Sequence, residues 1–148
     1  MHESSVVVKE WWKRLVFKEK GIPGNVRQGR WGEDRAVKYL KDESEIRILV
    51  RNWRNPRDRR QEIDIVGLEG DALVFVEVKT RPASARVTGV DAMDRRKREA
   101  LRRTCRSYLN TLPETPTTYR VDVVEVRFRR GGDRDVEIRH YRNVPLFS

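Results

Sequence analysis

Between Glu62 and Lys79 the chain reads 62-EIDIVGLEGDALVFVEVK-79. Two apolar runs carry Glu62, Asp64, Glu77 and Lys79 at their outer ends. Carboxylates beside an ammonium can grip a hard divalent cation and handle the charge that develops during hydrolysis. Gly70 and Asp71 interrupt the runs, so the pattern predicts a β-hairpin with a two-residue turn. That turn pairs Asp64 with Glu77 and Glu62 with Lys79. Side chains alternate along a strand, which puts Ile63, Ile65, Ala72, Val74, Val76 and Val78 on one uncharged face. Val66, Leu68, Leu73 and Phe75 share the other face with the four charged residues. Facing carboxylates repel. A bound divalent cation would relieve that repulsion; a salt-bridge cluster, with Glu62 on Lys79 and Asp64 on an arginine, is the structural alternative.

Other elements must hold these groups. The segment 29-GRWGEDRAVKYLKDE-43 has the spacing of a helix entered through glycines, with Ala36, Val37 and Leu40 inward. Glu33 falls on the same stripe. A first-turn acid is favoured by the helix dipole, but the dipole does not require the inward face. Residues 46–53 read as a strand. The loop 54-RNPRDRRQ-61 then leads directly into Glu62, and five arginines lie between Arg51 and Arg60. A charge run is commonly a solvated loop. Its position beside the carboxylates favours phosphate contact through Arg54, Arg57, Arg59 and Arg60.

Residues 80–89 read as a loop and 90–110 as a second helix with Val90, Met93, Leu101, Cys105 and Tyr108 buried. Lys97 lies on that stripe, either as a snorkelling side chain or as a functional one. Arg95, Arg96, Arg98, Arg102, Arg103 and Arg106 load the outer face. Strands over 119–128 and 135–141, joined through 131-GGD-133, complete the order helix, three strands, helix, two strands. The expected class is α/β, a mixed central β-sheet flanked by helices.

Composition narrows the partner. The 148-residue chain carries a net charge of +10, and 38% of its residues are charged, against about 25% in ordinary proteins. Much of the excess is arginine, which favours an anionic polymer. The one cysteine and the lack of a secretory signal suit a cytoplasmic protein. His2 and His140 stand far apart, and no zinc-ligand spacing occurs. No apolar run approaches the ~20 residues of a membrane span. Residues 1–28 form a separate extension whose basic stretch 6-VVVKEWWKRLVF-17 suits a partner, a lipid surface, the domain itself, or a poorly ordered tail. Residues 29–148 form the domain.

The order Glu33, Asp64, 77-EVK-79 resembles the PD-(D/E)XK nuclease superfamily. More closely, 29-GRWGE-33, 62-EID-64, 75-FVEVKTR-81 and 120-RVDVV-124 look like the bacterial YraN family of nuclease-like proteins, which is similar in fold to archaeal Holliday-junction resolvases. The resemblance spans roughly residues 29 to 126. It implies a restriction-endonuclease-like fold and a metal-dependent endonuclease acting on DNA, with branched or damaged DNA as candidate substrates and RNA left open as a partner. Asp64 and Glu77 would ligate Mg²⁺ or Mn²⁺, with the Val78 carbonyl a further ligand. Glu33 would complete the site, and Lys79 would orient the attacking water and stabilise charge on the phosphate. Glu62 would support Lys79 or a second cation. Arg81 and Lys97 join the four loop arginines as nucleic-acid contacts. Junction resolvases tend to be symmetric dimers, so a homodimer is one implied arrangement. Gln61 departs from the pattern, which has glycine there. A non-catalytic nucleic-acid binder that keeps the fold is the alternative.

Overall fold

The computed structural model describes residues 24–129 and 136–146. The basic segment before residue 24 and the 131–133 turn lie outside these residues. The first helix, α1, spans Gly24–Glu43. It begins before the expected entry at Gly29, so a boundary between residues 28 and 29 would cut through a helix. An interior glycine costs a helix only ~1 kcal/mol, and packing of the inner stripe outweighs that. Ala36, Val37 and Leu40 are buried as the periodicity predicts.

Strands β1 (Arg47–Arg54), β2 (Glu62–Glu69) and β3 (Ala72–Pro82) follow. Helix α2 (Arg95–Leu109) leads to β4 (Thr118–Phe128) and β5 (Val136–Tyr141). The five strands form one sheet in chain order, and all neighbours are antiparallel except β3 and β4. This mixed sheet with helices is the α/β fold expected, consistent with the restriction-endonuclease-like architecture. The β3–β4 pairing continues to Pro82 and Phe128, so the first part of the expected 80–89 loop is strand.

Each helix covers one sheet face. On the α1 side, Ala36, Val37 and Leu40 pack with Ile65, Val74, Val76, Val124 and Val126. On the α2 side, Cys105 and Tyr108 pack with Val50, Trp53, Ile63, Val66, Leu73, Phe75 and Val121. Trp53 and Phe75 both meet the Tyr108 ring edge-to-face, at 5.2 and 5.5 Å between centroids, a geometry favoured by the ring quadrupoles.

Helix α2 starts later than its periodicity suggests. Asp94 is its N-cap and accepts a hydrogen bond from the Lys97 backbone N–H. Val90 and Met93 pack inward from the preceding turns. The phase counted from Val90 therefore does not carry into the helix, and Lys97 is exposed rather than inward. Arg98 instead turns in. Its guanidinium donates to the carbonyls of Met93, Val90 and Pro145.

Candidate active site at the fork of the sheet

The hairpin register matches expectation as far as its ladder runs. Glu69 pairs with Ala72 and Ile65 with Val76, and Gly70 turns the chain with φ 58°. Beyond Ile65 and Val76 the ladder stops. Asp64 fills the opening with its side chain, and its Oδ2 accepts the Val78 N–H at 2.8 Å. The sheet forks here. One arm is β1 with β2, still paired at Arg54 and Glu62; the other is β3 with β4.

The fork coincides with a break in alternation. Ile65 packs on the α1 side, whereas Ile63 packs on the α2 side. In β1, Arg51 bonds Asp34 of α1 at 2.6 Å, while Trp53 belongs to the α2-side core. Residues two apart should share a face. Asn52, which the register sets opposite Asp64, explains the switch: its φ is 52°, in the left-handed region. That backbone rotates the end of the arm. The expected common face for Ile63 and Ile65 is thus corrected, and strand period alone gave no sign of it.

Glu33 approaches from α1, and a close contact fixes that approach. A Cβ built on Gly32 would lie 1.8 Å from Thr80 Oγ1 and 3.0 Å from Thr80 Cβ. Only glycine lets α1 sit this near β3, so 29-GRWGE-33 sets helix packing and delivers Glu33 together. Glu33 is half-buried, and the Asn52 side chain lies near enough to act on its carboxylate. Burial raises its pKa, Glu62 and Asp34 add to the rise, and Asn52 and Arg51 oppose it.

Asp64 is the most perturbed of the group. Burial first, and the Glu77 charge second, push its pKa up to about 8. The Val78 N–H resists the shift; Glu33 and Glu62 add to it. Glu77 lies on the α2 side, where its charge also helps burial push the Cys105 thiol up to about 12. Cys105 is accordingly a core residue, as its apolar setting indicated.

The ion pairs differ from the expected set. Lys79 Nζ donates to Glu77 Oε1 at 2.9 Å. Glu62 pairs with Arg54 at 3.0 Å across the β1–β2 arm, not with Lys79. Ending the β2–β3 ladder at Ile65 separates Glu62 from β3 and leaves it to its β1 partner. On the other side, the stem of Lys79 is covered by Gly89, where a Cβ would come within 3.0 Å of Lys79 Cβ and Cγ. Glu33, Asp64, Glu77 and Glu62 are thus coupled electrostatically at one fork, with Lys79 bonded to Glu77. Among the described residues no group of three or more His, Cys, Asp or Glu is arranged to hold a metal ion. Asp64 and Glu77 supply hard oxygen donors, a set that fits Mg²⁺ held by one or two carboxylates, waters and phosphate oxygens. It does not fit an all-protein cage.

The basic residues divide into two kinds. Arg60 is held by both oxygens of Asp58, Arg54 by Glu62, and Arg81 donates to the Val87 carbonyl. Arg57 and Arg59 are exposed on the same loop. Helix α2 exposes Arg95, Arg96, Lys97, Arg103 and Arg106. Two open surface depressions lie away from the fork. One, of about 420 Å³, is lined by Ala72, Thr118, Tyr119, Arg120, Arg142 and Asn143; the other, of about 350 Å³, lies along 41–48. The perturbed carboxylates Glu33 and Asp64 lie at the fork and line neither depression.

A second charged network braces the α1 side. Asp122, fully buried, accepts from the Arg120 guanidinium and the Asn143 N–H and lies 2.8 Å from His140 Nε2. Tyr39 of α1 meets His140 Nδ1 at 3.2 Å. Burial would raise the Asp122 pKa, but the His140, Arg120 and Asn143 hydrogen bonds outweigh it and hold the group at about 2. This accounts for 120-RVDVV-124 as a structural segment.

The fold and fork define an α/β protein with a cluster of acidic residues at the split of a mixed sheet. Sequence comparison places it among known chains. The profile of the uncharacterised protein family UPF0102 matches residues 32–126, and the chain belongs to that family. It is similar to the UPF0102 protein of Parafrankia sp., 43% identical over 76% of this chain and 92% of the relative. The UPF0102 protein of Alkaliphilus oremlandii is 38% identical over 81% of this chain and 98% of its own. That of Chlorobium phaeobacteroides is 35% identical over 78% and 91%. No helix among the described residues is long and apolar enough to cross a membrane.

Proposed function

We propose that the protein is a divalent-cation-dependent phosphodiester hydrolase acting on DNA, with structured or branched DNA as its substrate class. The observation that carries this reading is Asp64. A carboxylate pushed up to about 8 by burial and by Glu77, with Glu33 and Glu62 close enough to add to the shift, is costly to keep in a fold. A cation bound by Asp64 and Glu77, with the Val78 carbonyl beside them, would remove the cost.

Bound there, Mg²⁺ or Mn²⁺ would lower the pKa of a ligated water and neutralise phosphate charge. The chain's own groups do the rest. Glu33 accepts hydrogen bonds from water at the mouth of the fork. Lys79, released from Glu77, places an ammonium where charge accumulates on the phosphate. Exposed Arg57 and Arg59 of the loop into Glu62, together with the exposed cations of α2, bind backbone phosphates without reading bases.

The Lys79–Glu77 ion pair favours one competing reading, a nucleic-acid-binding protein that keeps the fold but not the chemistry. Mn²⁺ calorimetry on the wild type and Asp64→Asn separates the two, together with cleavage assays on duplex, flap, single-stranded and four-way substrates. Hydrolysis requires Mn²⁺ uptake that Asp64→Asn abolishes. DNA binding with no Mn²⁺ uptake and no cleavage establishes the binder.

A further inference from the structure

We propose that the buried pair Glu125–Arg127 is a strap that holds the 83–89 loop down on the stem of Lys79, which makes both of them positioning residues for the Lys79 ammonium. What Lys79 does at the fork rests on the hydrolase reading above; the strap rests on contacts. Arg127 of β4 directs one guanidinium nitrogen to Glu125 Oε1 at 2.9 Å and the other to the carbonyls of Ala83 and Ala85, both at 2.8 Å. Arg81, its register partner on β3, donates to the Val87 carbonyl at 2.8 Å. The loop is thus tied at residues 83, 85 and 87. It then lands at Gly89, which is buried. A Cβ there would lie 3.0 Å from Lys79 Cβ and Cγ and 3.7 Å from Glu125 Cδ. Lys79 and Glu125 are themselves register partners, so the end of the loop covers the lysine stem and the strap's carboxylate together.

Fold stability alone explains little of this. Glu125 is fully buried and Arg127 nearly so, and a buried ion pair is often no more stable than apolar residues of similar volume. An apolar pair could not donate to two loop carbonyls. A planar guanidinium does so while it also neutralises a carboxylate. The result bears on Lys79. A free lysine side chain samples many rotamers. One whose stem is pinned under Gly89 presents its ammonium in one place, here against Glu77 Oε1, and fixed placement is what stabilising a developing charge requires.

Two variants of the full chain test the strap from opposite ends. Glu125→Leu with Arg127→Met removes it without leaving a buried charge unpaired. Gly89→Ala keeps the strap but forces the loop off the lysine stem. In the double variant, local opening of the loop should speed the tryptic cut after Arg86 by about tenfold. Lys79 should also be acetylated faster relative to Lys38 in the same sample. Gly89→Ala should raise Lys79 acetylation as well. Both should lower kcat for DNA cleavage by about tenfold and leave KM unchanged, measured well below their melting transitions. Wild-type cutting after Arg86 in the double variant overturns the strap, as does wild-type acetylation of Lys79 in Gly89→Ala. Faster acetylation with an unchanged kcat overturns the positioning role. Should the double variant not fold, Arg127→Lys, which keeps the charge but not the planar fork, replaces it in the tryptic assay. A wild type that cleaves no DNA overturns the hydrolase reading, while the tryptic and acetylation rates still decide the strap.

Discussion

Gly32→Ala tests how tightly α1 is set against β3. The new Cβ would fall 1.8 Å from Thr80 Oγ1, 3.0 Å from its Cβ and 3.3 Å from its Cγ2. Carbon–carbon contacts prefer about 3.5–4.0 Å. Turning Thr80 about χ1 removes the oxygen but leaves the Cβ contact too short, so the helix must also withdraw by a few tenths of an ångström. Overpacking of this kind costs about 1–3 kcal/mol. The same change gains about 1 kcal/mol, because alanine is the better helix former. The single variant should therefore lose between about 0 and 2 kcal/mol. Thr80→Gly removes Oγ1, Cγ2 and the Cβ itself and makes room. In that background Gly32→Ala should be neutral or stabilising, which gives a coupling of about 1–3 kcal/mol. Urea denaturation of the four proteins measures it. Glu33 follows Gly32, so the single variant should also weaken Mn²⁺ binding and the double variant should recover it. A coupling below about 0.5 kcal/mol would show that the helix does not rest on Thr80.

Asp64 makes stability depend on pH. Its folded pKa lies above the unfolded one, so its contribution is complete below 3.8 and is lost as pH rises toward about 8. Asp64→Asn keeps the acceptor for Val78 N–H and should flatten that slope by up to about 1.4 kcal/mol per pH unit; parallel wild-type and variant profiles between pH 5 and 7 would contradict it. In EDTA, Asp64→Asn should bind DNA as well as or better than wild type and Lys79→Ala slightly less well, while both lose cleavage. DNA affinity should fall steeply with salt, by a slope of about 0.9 per duplex phosphate contacted. Arg57→Glu with Arg59→Glu should flatten that slope more than Arg60→Glu, whose guanidinium is already held by Asp58; equal effects would remove the distinction. Asp122→Asn disturbs a buried network and should cost about 3 kcal/mol at pH 7, read as an earlier thermal transition without loss of Mn²⁺ binding at the fork.

Much of this architecture is legible in the chain. The Gly70-Asp71 turn fixes the hairpin register because a one-residue slip would mix charged and apolar faces. Glu33 is identifiable from the Ala36, Val37, Leu40 stripe, since helical period alone puts it inward. The misses share a cause: each periodic rule holds only while the backbone stays regular. Asn52 switches the face of β1 midway, so Ile63 and Ile65 part company, and nothing in the 46–53 pattern marks the switch apart from asparagine itself. Capping at Asp94 resets the phase of α2, which turns Lys97 outward and Arg98 inward. The partners of Arg54, Arg60 and Arg81 depend on where the ladder ends and how loops close, which composition does not encode.

The parallel pairing of β3 with β4 has a consequence for how the chain is made. Strands β1 to β3 form a local meander, whereas Ala72 must find Thr118 across the whole of α2. Low-separation contacts close first. During synthesis at about 5–20 residues per second, β3 waits roughly 2–10 s for the end of β4. Through that interval Val74, Val76 and Val78 stand on an uncovered edge, the kind of template that captures other chains. The segment emerging next is α2, with seven cations among its fifteen residues. Their mutual repulsion would keep neighbouring nascent chains apart until β4 arrives, a role for the basic helix that is testable by expression. Neutralising Arg95, Arg96, Arg103 and Arg106 should lower soluble yield on expression while leaving the melting temperature of the purified protein nearly unchanged.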